Sequence, residues 1–372
     1  MQSLGVGLIG AGNISTTYLR MIPEFAGLEL RGIADLNLAT AEAQSSAFGV
    51  PAITPEALLA TADIDIVVNL TIPSVHYQVT AQILEAGKHA YSEKPLVLTA
   101  DEGAQLRDLA ARMGLRVGAA PDTFLGVSHQ QARAMIDAGE LGQIVSGTAH
   151  VLSHGMEAWH PNPDFFFQPG GGPVLDMGPY YITNLVQLLG PVARVAALTG
   201  QGRDSRVIGS GPRTGEAVPV ATPTDIHALL QFAGGARVTL GASWDVWAHR
   251  HGHIELYGTQ GALFLPDPNF FGGALEAARG SDQIEPVPLW DHPFGAANDE
   301  GRANWRGAGL ADMARAIRLG GPHRCGLDMA LHVVEVMTAI LASGQSGAFV
   351  DLTSSCERPA ALGAEDARAL MV

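Results

Sequence analysis

The chain has 372 residues, with 22 Lys and Arg against 37 Asp and Glu, for a formal net charge of -15, and only two cysteines. That length exceeds what one hydrophobic core organises and predicts two domains, while the acidic balance repels phosphate backbones and anionic lipid, so neither nucleic acid nor a membrane is expected as a partner. Cys325 and Cys356 are too few for a disulfide framework and form no C-x-x-C pair, no run approaches the roughly 18 apolar residues of a membrane span, and Met1-Gln2-Ser3-Leu4 leads straight into a strand-like segment without signal-peptide features; a cytoplasmic protein is expected.

From Leu4 to about Ala120, short apolar runs alternate with segments of helical composition, the rhythm of β-α units feeding a doubly wound parallel sheet. Strands are predicted at Val6 to Ile9, Leu28 to Ala34, Ile64 to Leu70, His89 to Tyr91 and Leu115 to Ala119. After Pro121-Asp122 the rhythm changes. A helix from Val127 to Ala138 is followed by strand-like runs at Ile144 to Val151, Ala193 to Leu198, Asp225 to Phe232, Arg237 to Trp244 and His253 to Tyr257, which suit a largely antiparallel sheet. The stretch Gly200 to Thr222, rich in Gly, Pro and Arg, reads as a loop between strands, and residues 266 to 310 are irregular. A helix is predicted near Leu327 to Leu341. The expected fold is therefore α/β, with an N-terminal domain over residues 1–122 and a second α/β domain over 123–372.

Gly5-Val-Gly-Leu-Ile-Gly10-Ala-Gly12-Asn13-Ile14-Ser15 joins the first strand to a helix. Gly10 and Gly12 let backbone amides approach a pyrophosphate at the helix start, and Ser15 stands where a third glycine is usual. Asp35 ends the next strand 20 residues after Ser15, the position of a ribose-binding acid, the plain alternative being glycines that only make a tight turn and an Asp that caps a helix. A carboxylate there accepts from a 2'-hydroxyl and repels a 2'-phosphate, which favours NAD, with NADP as the alternative.

At Tyr91-Ser92-Glu93-Lys94-Pro95 an acid, a lysine and a proline sit at the C-terminal end of a predicted parallel strand, where such sheets bind ligands. Pro95 restricts the backbone of Lys94, so its ammonium is aimed, although an exposed surface lysine is the plain alternative. Later, Gly170-Gly171-Gly172-Pro173 opens a helix that Gly190-Pro191 ends. Asp176 and Tyr180 are four apart on it and share one face, as a catalytic pair or as a capping Asp beside a half-buried Tyr.

Two further segments carry chemistry-bearing side chains. Trp159 and His160, followed by Phe165 to Phe167, suit substrate contact by stacking and hydrogen bonding, or a hydrophobic loop packed over the helix. His249, His251 and His253 alternate and would share one face of a strand, yet no cysteine or glutamate completes a ligand set, so no metal is assigned.

Taken together, Gly10-Ala-Gly12-Asn13-Ile14, Glu93-Lys94-Pro95 and the glycine-rich segment leading to Asp176-x-x-x-Tyr180 resemble the glucose-fructose oxidoreductase, inositol dehydrogenase and rhizopine catabolism (Gfo/Idh/MocA) family over nearly the whole chain. Ala86-Gly87-Lys88-His89 and Gly139-Glu-Leu-Gly142 fall where such proteins carry similar segments. The resemblance implies a Rossmann domain followed by an open-sheet α/β domain, a bound nicotinamide nucleotide, a sugar, polyol or related substrate, and homodimers or homotetramers built through the open sheet. It implies that Lys94 polarises the reacting oxygen, Asp176 orients the substrate and Tyr180 exchanges the proton. Leu70-Thr71-Ile72-Pro73-Ser74-Val75-His76 resembles the family loop beside the cofactor, so Thr71, Pro73 and His76 join Gly10, Gly12, Asn13, Ile14, Asp35, Glu93 and Lys94 as expected cofactor contacts; for His76 the other reading is a helix-start histidine packed against the sheet.

Many members of that family carry His where Tyr180 stands, whereas the glucose-fructose oxidoreductase branch has Tyr. An ordinary Tyr titrates near pH 10, so deprotonation near neutrality needs Lys94 or the nicotinamide charge, and Lys94 is the alternative acid/base. The function expected is hydride transfer between a nicotinamide and a hydroxyl or carbonyl carbon of a sugar-like substrate. An NAD-dependent glycosidase of the same fold and a non-catalytic nucleotide-binding regulator are the rivals.

Overall fold

The computed structural model describes residues 3–297 and 303–372. Two compact units are present: one takes in residues 1–127, 291–334 and 359–372, the other 128–290 and 335–358. The contiguous division expected at 122/123 thus differs from the observed one, in which two C-terminal segments return to the first unit.

The first unit holds six strands, β1 (Leu4–Ile9), β2 (Leu28–Ala34), β3 (Ala52–Ile53), β4 (Ile66–Asn69), β5 (His89–Ser92) and β6 (Val117–Ala119). All pair in parallel in the order β3-β2-β1-β4-β5-β6. This order reverses direction at β1, where the chain leaves first toward β2 and β3 and then returns past β1 to β4. Strand C-termini on either side of such a switch leave a crevice for ligands. Val6, Leu8, Ile33, Val67 and Val68 are buried, as a sheet covered on both faces requires.

The second unit is organised by a nine-stranded sheet in which the remaining strands are β7 (Ile144–Leu152), β8 (Val192–Gly200), β11 (Asp225–Phe232), β12 (Arg237–Ser243), β13 (Ile254–Gly258), β14 (Gly261–Leu265), β15 (Glu276–Arg279), β16 (Glu285–Pro286) and β17 (Val350–Asp351), with β9 (Ser205–Val207) and β10 (Ala217–Pro219) apart from it. The order is β16-β15-β14-β13-β7-β12-β11-β8-β17, antiparallel throughout except between β7 and β12. Strict alternation along β11 buries Ile226, Ala228, Leu230 and Phe232 and leaves His227, Leu229 and Gln231 exposed. The helix Pro173–Leu189 packs against β7, β11 and β12, and burying each large apolar side chain there contributes roughly 1.5–3 kcal/mol.

Three sequence expectations change. The segment Gly200 to Thr222 is not only loop: β9 and β10 pair as a short antiparallel hairpin, and Ile208, Val218 and Val220 pack with Phe167 and Trp244. The stretch 266–310 contains β15, β16 and the start of the helix Ala308–Leu319, while residues 298–302 of it lie outside the described part. His249, His251 and His253 precede β13, which begins at Ile254, so the argument from strand alternation fails. His251 stacks on His150 at 4.1 Å, while His253 turns to Tyr181. Among the described residues, no cluster of three or more His, Cys, Asp or Glu is placed to hold a metal. One described helix, Leu327–Ser346, is long and apolar enough by composition to cross a membrane, yet Asp328, His332 and Glu335 interrupt it and half of its residues are buried.

Candidate functional site

The glycine turn is built by contacts from both neighbouring strands. Gly10 has φ +105°, and a side chain there would meet the Leu70 carbonyl at 2.6 Å, so only glycine lets β1 turn this close to the end of β4. Gly12 faces open space and, with Asn13, is exposed, which fits backbone approach to a dinucleotide. Asp35 closes the turn from the β2 side: Oδ2 accepts from the Ala11 N–H at 2.8 Å and Oδ1 from the Asn37 N–H at 2.9 Å. Ser15, fully buried, donates its hydroxyl to the Gly12 carbonyl at 2.6 Å, which explains why serine serves at the third glycine position. Ile14 is half-buried at the helix start.

Beyond β4, the buried Asn69 organises the next loop. Its Oδ1 accepts from the Thr71 N–H at 3.2 Å and the Thr71 hydroxyl at 2.6 Å, and its Nδ2 donates to the His76 carbonyl and the Thr80 hydroxyl, both at 3.0 Å. Pro73 opens a single 3-10 turn, Pro73–Val75. His76 is 1% exposed, and its ring nitrogens lie 2.6 Å from the Pro95 carbonyl and 2.9 Å from the Thr71 carbonyl. Its imidazole is thus occupied by protein backbone, in keeping with the packed reading of this residue.

Glu93 and Lys94 are half-buried at the C-terminal end of β5. The Glu93 N–H donates to the Asn69 carbonyl at 2.9 Å, and its carboxylate accepts from the Tyr18 hydroxyl at 3.0 Å and from the Lys94 N–H at 3.0 Å. The Lys94–Pro95 bond is cis. Burial first, and then the Glu93 charge, holds the Tyr18 hydroxyl protonated far above the usual tyrosine range.

Sequence reasoning missed Asp122, treated only as part of a boundary. It follows β6 at the ligand-binding edge of the sheet, the signal that could have found it. Its Oδ2 accepts from the Gly307 and Gly309 N–H groups at 2.8 and 3.0 Å, anchoring the start of the helix Ala308–Leu319. Complete burial pushes its carboxyl up to about 6 despite those hydrogen bonds. Leu36 and Ile72, both exposed, were also passed over; they follow β2 and the β4 end on the two sides of the glycine turn and offer apolar surface for a planar base.

In the second unit, Asp176 and Tyr180 lie on the helix Pro173–Leu189 as expected, Asp176 half-buried in its first turn and Tyr180 8% exposed. The cap is Gly172 without a side-chain hydrogen bond, so Asp176 is not the capping residue. The next residue, Tyr181, is buried and its hydroxyl lies 2.9 Å from His253 Nδ1 and 3.3 Å from Asp267 Oδ1. Burial, followed by the Asp267 charge, keeps it protonated. The same helix carries Asn184, which donates to His129 Nδ1 at 3.1 Å, while His129 Nε2 donates to the Phe270 carbonyl at 2.9 Å. Burial lowers His129 to about 4.

Trp159 is exposed, and His160 packs edge-on against Trp159, Phe165 and Phe166 with ring centroids 5.5, 5.6 and 5.4 Å apart. The pair therefore belongs to an aromatic cluster with two outward rings, Trp159 and Phe165, a surface suited to stacking on the apolar face of a sugar.

Comparison with known proteins agrees with the fold. Residues 4–120 match the model of an oxidoreductase family with an NAD-binding Rossmann fold, and residues 129–264 match the GFO/IDH/MocA C-terminal domain. Among curated relatives, D-glucoside 3-dehydrogenase of Escherichia coli is 29% identical over a segment covering 50% of this chain and 54% of that protein, so the match spans about half of its length. D-xylose 1-dehydrogenase (NADP(+)) 2 of Haloferax volcanii is 26% identical across 93% of this chain and 99% of the relative. In fold, an NAD-binding oxidoreductase from Klebsiella pneumoniae superposes with a TM-score of 0.82 at 22% identity, covering 95% of this chain and all of the other. With both of its characteristic domains present in order, the chain belongs to the GFO/IDH/MocA family of NAD-binding oxidoreductases.

Proposed function

We propose that the protein is an NAD-linked dehydrogenase that moves a hydride between nicotinamide and a hydroxyl or carbonyl carbon of a sugar or polyol. The observation that carries the reading is the Glu93-Lys94-Pro95 loop, fixed at the C-terminal edge of β5 in the same sheet whose β1 bears the open glycine turn. When bound, the nicotinamide supplies the hydride chemistry. Gly10, Gly12, Asn13, Ile14 and the residues around Thr71 and Pro73 hold the nucleotide, and Asp35 takes the ribose hydroxyls and so favours NAD over NADP. Lys94 polarises the reacting oxygen, Asp176 orients the substrate, and Tyr180 exchanges the proton, with Lys94 as the alternative acid/base. Trp159 and His160 contact the sugar. The dehydrogenase names of the relatives support this substrate class.

The same reading places the protein in the cytoplasm as a homodimer or homotetramer built through the open sheet. In its support, the outward face exposes Leu198 and Leu229 beside His227, around a depression of about 870 Å³ that His150, His249 and His251 also line. Apolar side chains on an open sheet face favour a second copy as occupant. The test of function is to offer purified protein NAD with aldoses, inositols, polyols and glycosides and follow nicotinamide reduction. Substrate-dependent NADH supports the dehydrogenase, glycoside cleavage without net NADH supports an NAD-dependent glycosidase, and NAD binding without either reaction supports a regulator.

A further inference from the structure

We infer that His76 is a positioning residue for Lys94, acting through the Pro95 carbonyl. This inference rests on the reading of Lys94 as catalytic. Proline has no N–H, so the carbonyl is the one hydrogen-bonding group in its main chain. That carbonyl is held by His76 Nδ1 at 2.6 Å, the shorter of the two contacts of the ring. Both partners are carbonyl oxygens, so a ring nitrogen holds its partner by donating an N–H.

The surrounding bonds show why this contact controls the loop. On the N-terminal side of Lys94, Glu93 is tied at its N–H to Asn69 and at its carboxylate to Tyr18. On the C-terminal side, Pro95 is tied to His76. His76 is itself fixed, since its carbonyl accepts from Asn69 Nδ2 and its other ring nitrogen faces the Thr71 carbonyl. Asn69 and His76 together therefore clamp the loop after β4 to the loop after β5, and the buried ring turns a helix-start side chain into a strut between them. Loss of the Pro95 contact frees one end of a three-residue segment whose centre is Lys94, and small displacements of a catalytic group cost rate more than binding.

Two substitutions separate this from a general packing role. An Asn side chain places an amide donor near the Nδ1 position, and a Gln side chain places one near the Nε2 position. H76N therefore keeps the Pro95 contact and loses the Thr71 contact, whereas H76Q does the reverse. With wild-type protein alongside, we expect kcat within about threefold for H76N and at least tenfold lower for H76Q, at an NAD Kd within about threefold for both. Backbone hydrogen exchange over residues 92–98, read without turnover, is expected to rise at least tenfold in H76Q alone. Equal effects of the two substitutions on kcat and exchange, or a tenfold loss of NAD affinity in H76N, overturn the assignment. Should wild-type protein reduce NAD with none of the substrates, the dehydrogenase reading fails while the exchange comparison still decides the role of His76.

Discussion

The Tyr18 hydroxyl donates to Glu93 Oε1 at 3.0 Å, tying the helix that follows the glycine turn to the segment that carries Lys94. A hydrogen bond to a charged acceptor contributes about 1.5–3 kcal/mol, and Tyr18 is fully buried, so nothing in solvent replaces it. Tyr18→Phe is expected to lower unfolding free energy by that amount in urea titration and to reduce kcat several-fold. Unchanged stability and rate would show that the contact fixes neither loop.

Asp35 holds the glycine turn through Ala11 and, in the proposed function, also selects the nucleotide. Replacing it with Ser while changing Leu36 to Arg removes the charge that repels a 2'-phosphate and adds one that attracts it. The expected outcome is a shift of at least tenfold in the ratio of kcat/KM for NADP over NAD, with a loss of about 1–3 kcal/mol in stability from the orphaned turn amides. A shift toward NAD, or none, would show that Asp35 serves the turn alone.

Arg206 is buried in the second unit and donates to Glu157 at 2.9 Å, to Asp245 at 2.6 Å and to the His154 and Trp244 carbonyls. It pins the hairpin of β9 and β10 against the segment bearing Trp159. Arg206→Ala leaves two acids without their cation and is expected to cost roughly 3–5 kcal/mol, measured by denaturant unfolding. A cost below about 1 kcal/mol would contradict the pinning role.

Two buried groups give the units opposite responses to pH. Asp122 is raised from 3.8 to about 6 in the fold, so between those values the native state holds the proton that the unfolded chain releases, and stability falls as pH rises. His129 is lowered from 6.5 to about 4, so the unfolded chain takes up the proton first and stability is lost as pH falls through that window. Each contributes about 3 kcal/mol at most, from ~1.4 kcal/mol per pH unit. Thermal unfolding of Asp122→Asn and His129→Gln against wild type is expected to show differences that change with pH in opposite directions. Differences independent of pH would refute both assignments.

The nucleotide half was legible because its signals are local: a glycine turn directly after an apolar strand, and Asp35 at a fixed spacing from it. β11 was read to the residue because one of its faces is buried and the other open, so its alternation is unbroken. Pro173 and Gly190 likewise bounded the helix of Asp176 and Tyr180. The hairpin of β9 and β10 escaped because three-residue strands carry no period, and its anchor, Arg206, pairs with acids about 40 to 50 positions away. Asp122 escaped, as did the link from His76 to Pro95, for a related reason. Their roles depend on Gly307, Gly309 and Pro95, backbone partners that only the folded chain brings near. The return of residues 291–334 and 359–372 to the first unit is a matter of tertiary packing, on which local pattern is silent.

The most direct test of the central claim is isotopic. Purified protein is given NAD and a panel of sugars and polyols deuterated at their carbon-bound hydrogens, and the nicotinamide product is examined by mass spectrometry for wild type and Lys94→Ala. The account predicts one deuterium delivered to the nicotinamide ring by wild type, with the rate reduced at least a hundredfold in the variant. Reduced nucleotide without deuterium, or equal deuterium transfer by wild type and Lys94→Ala, would contradict it.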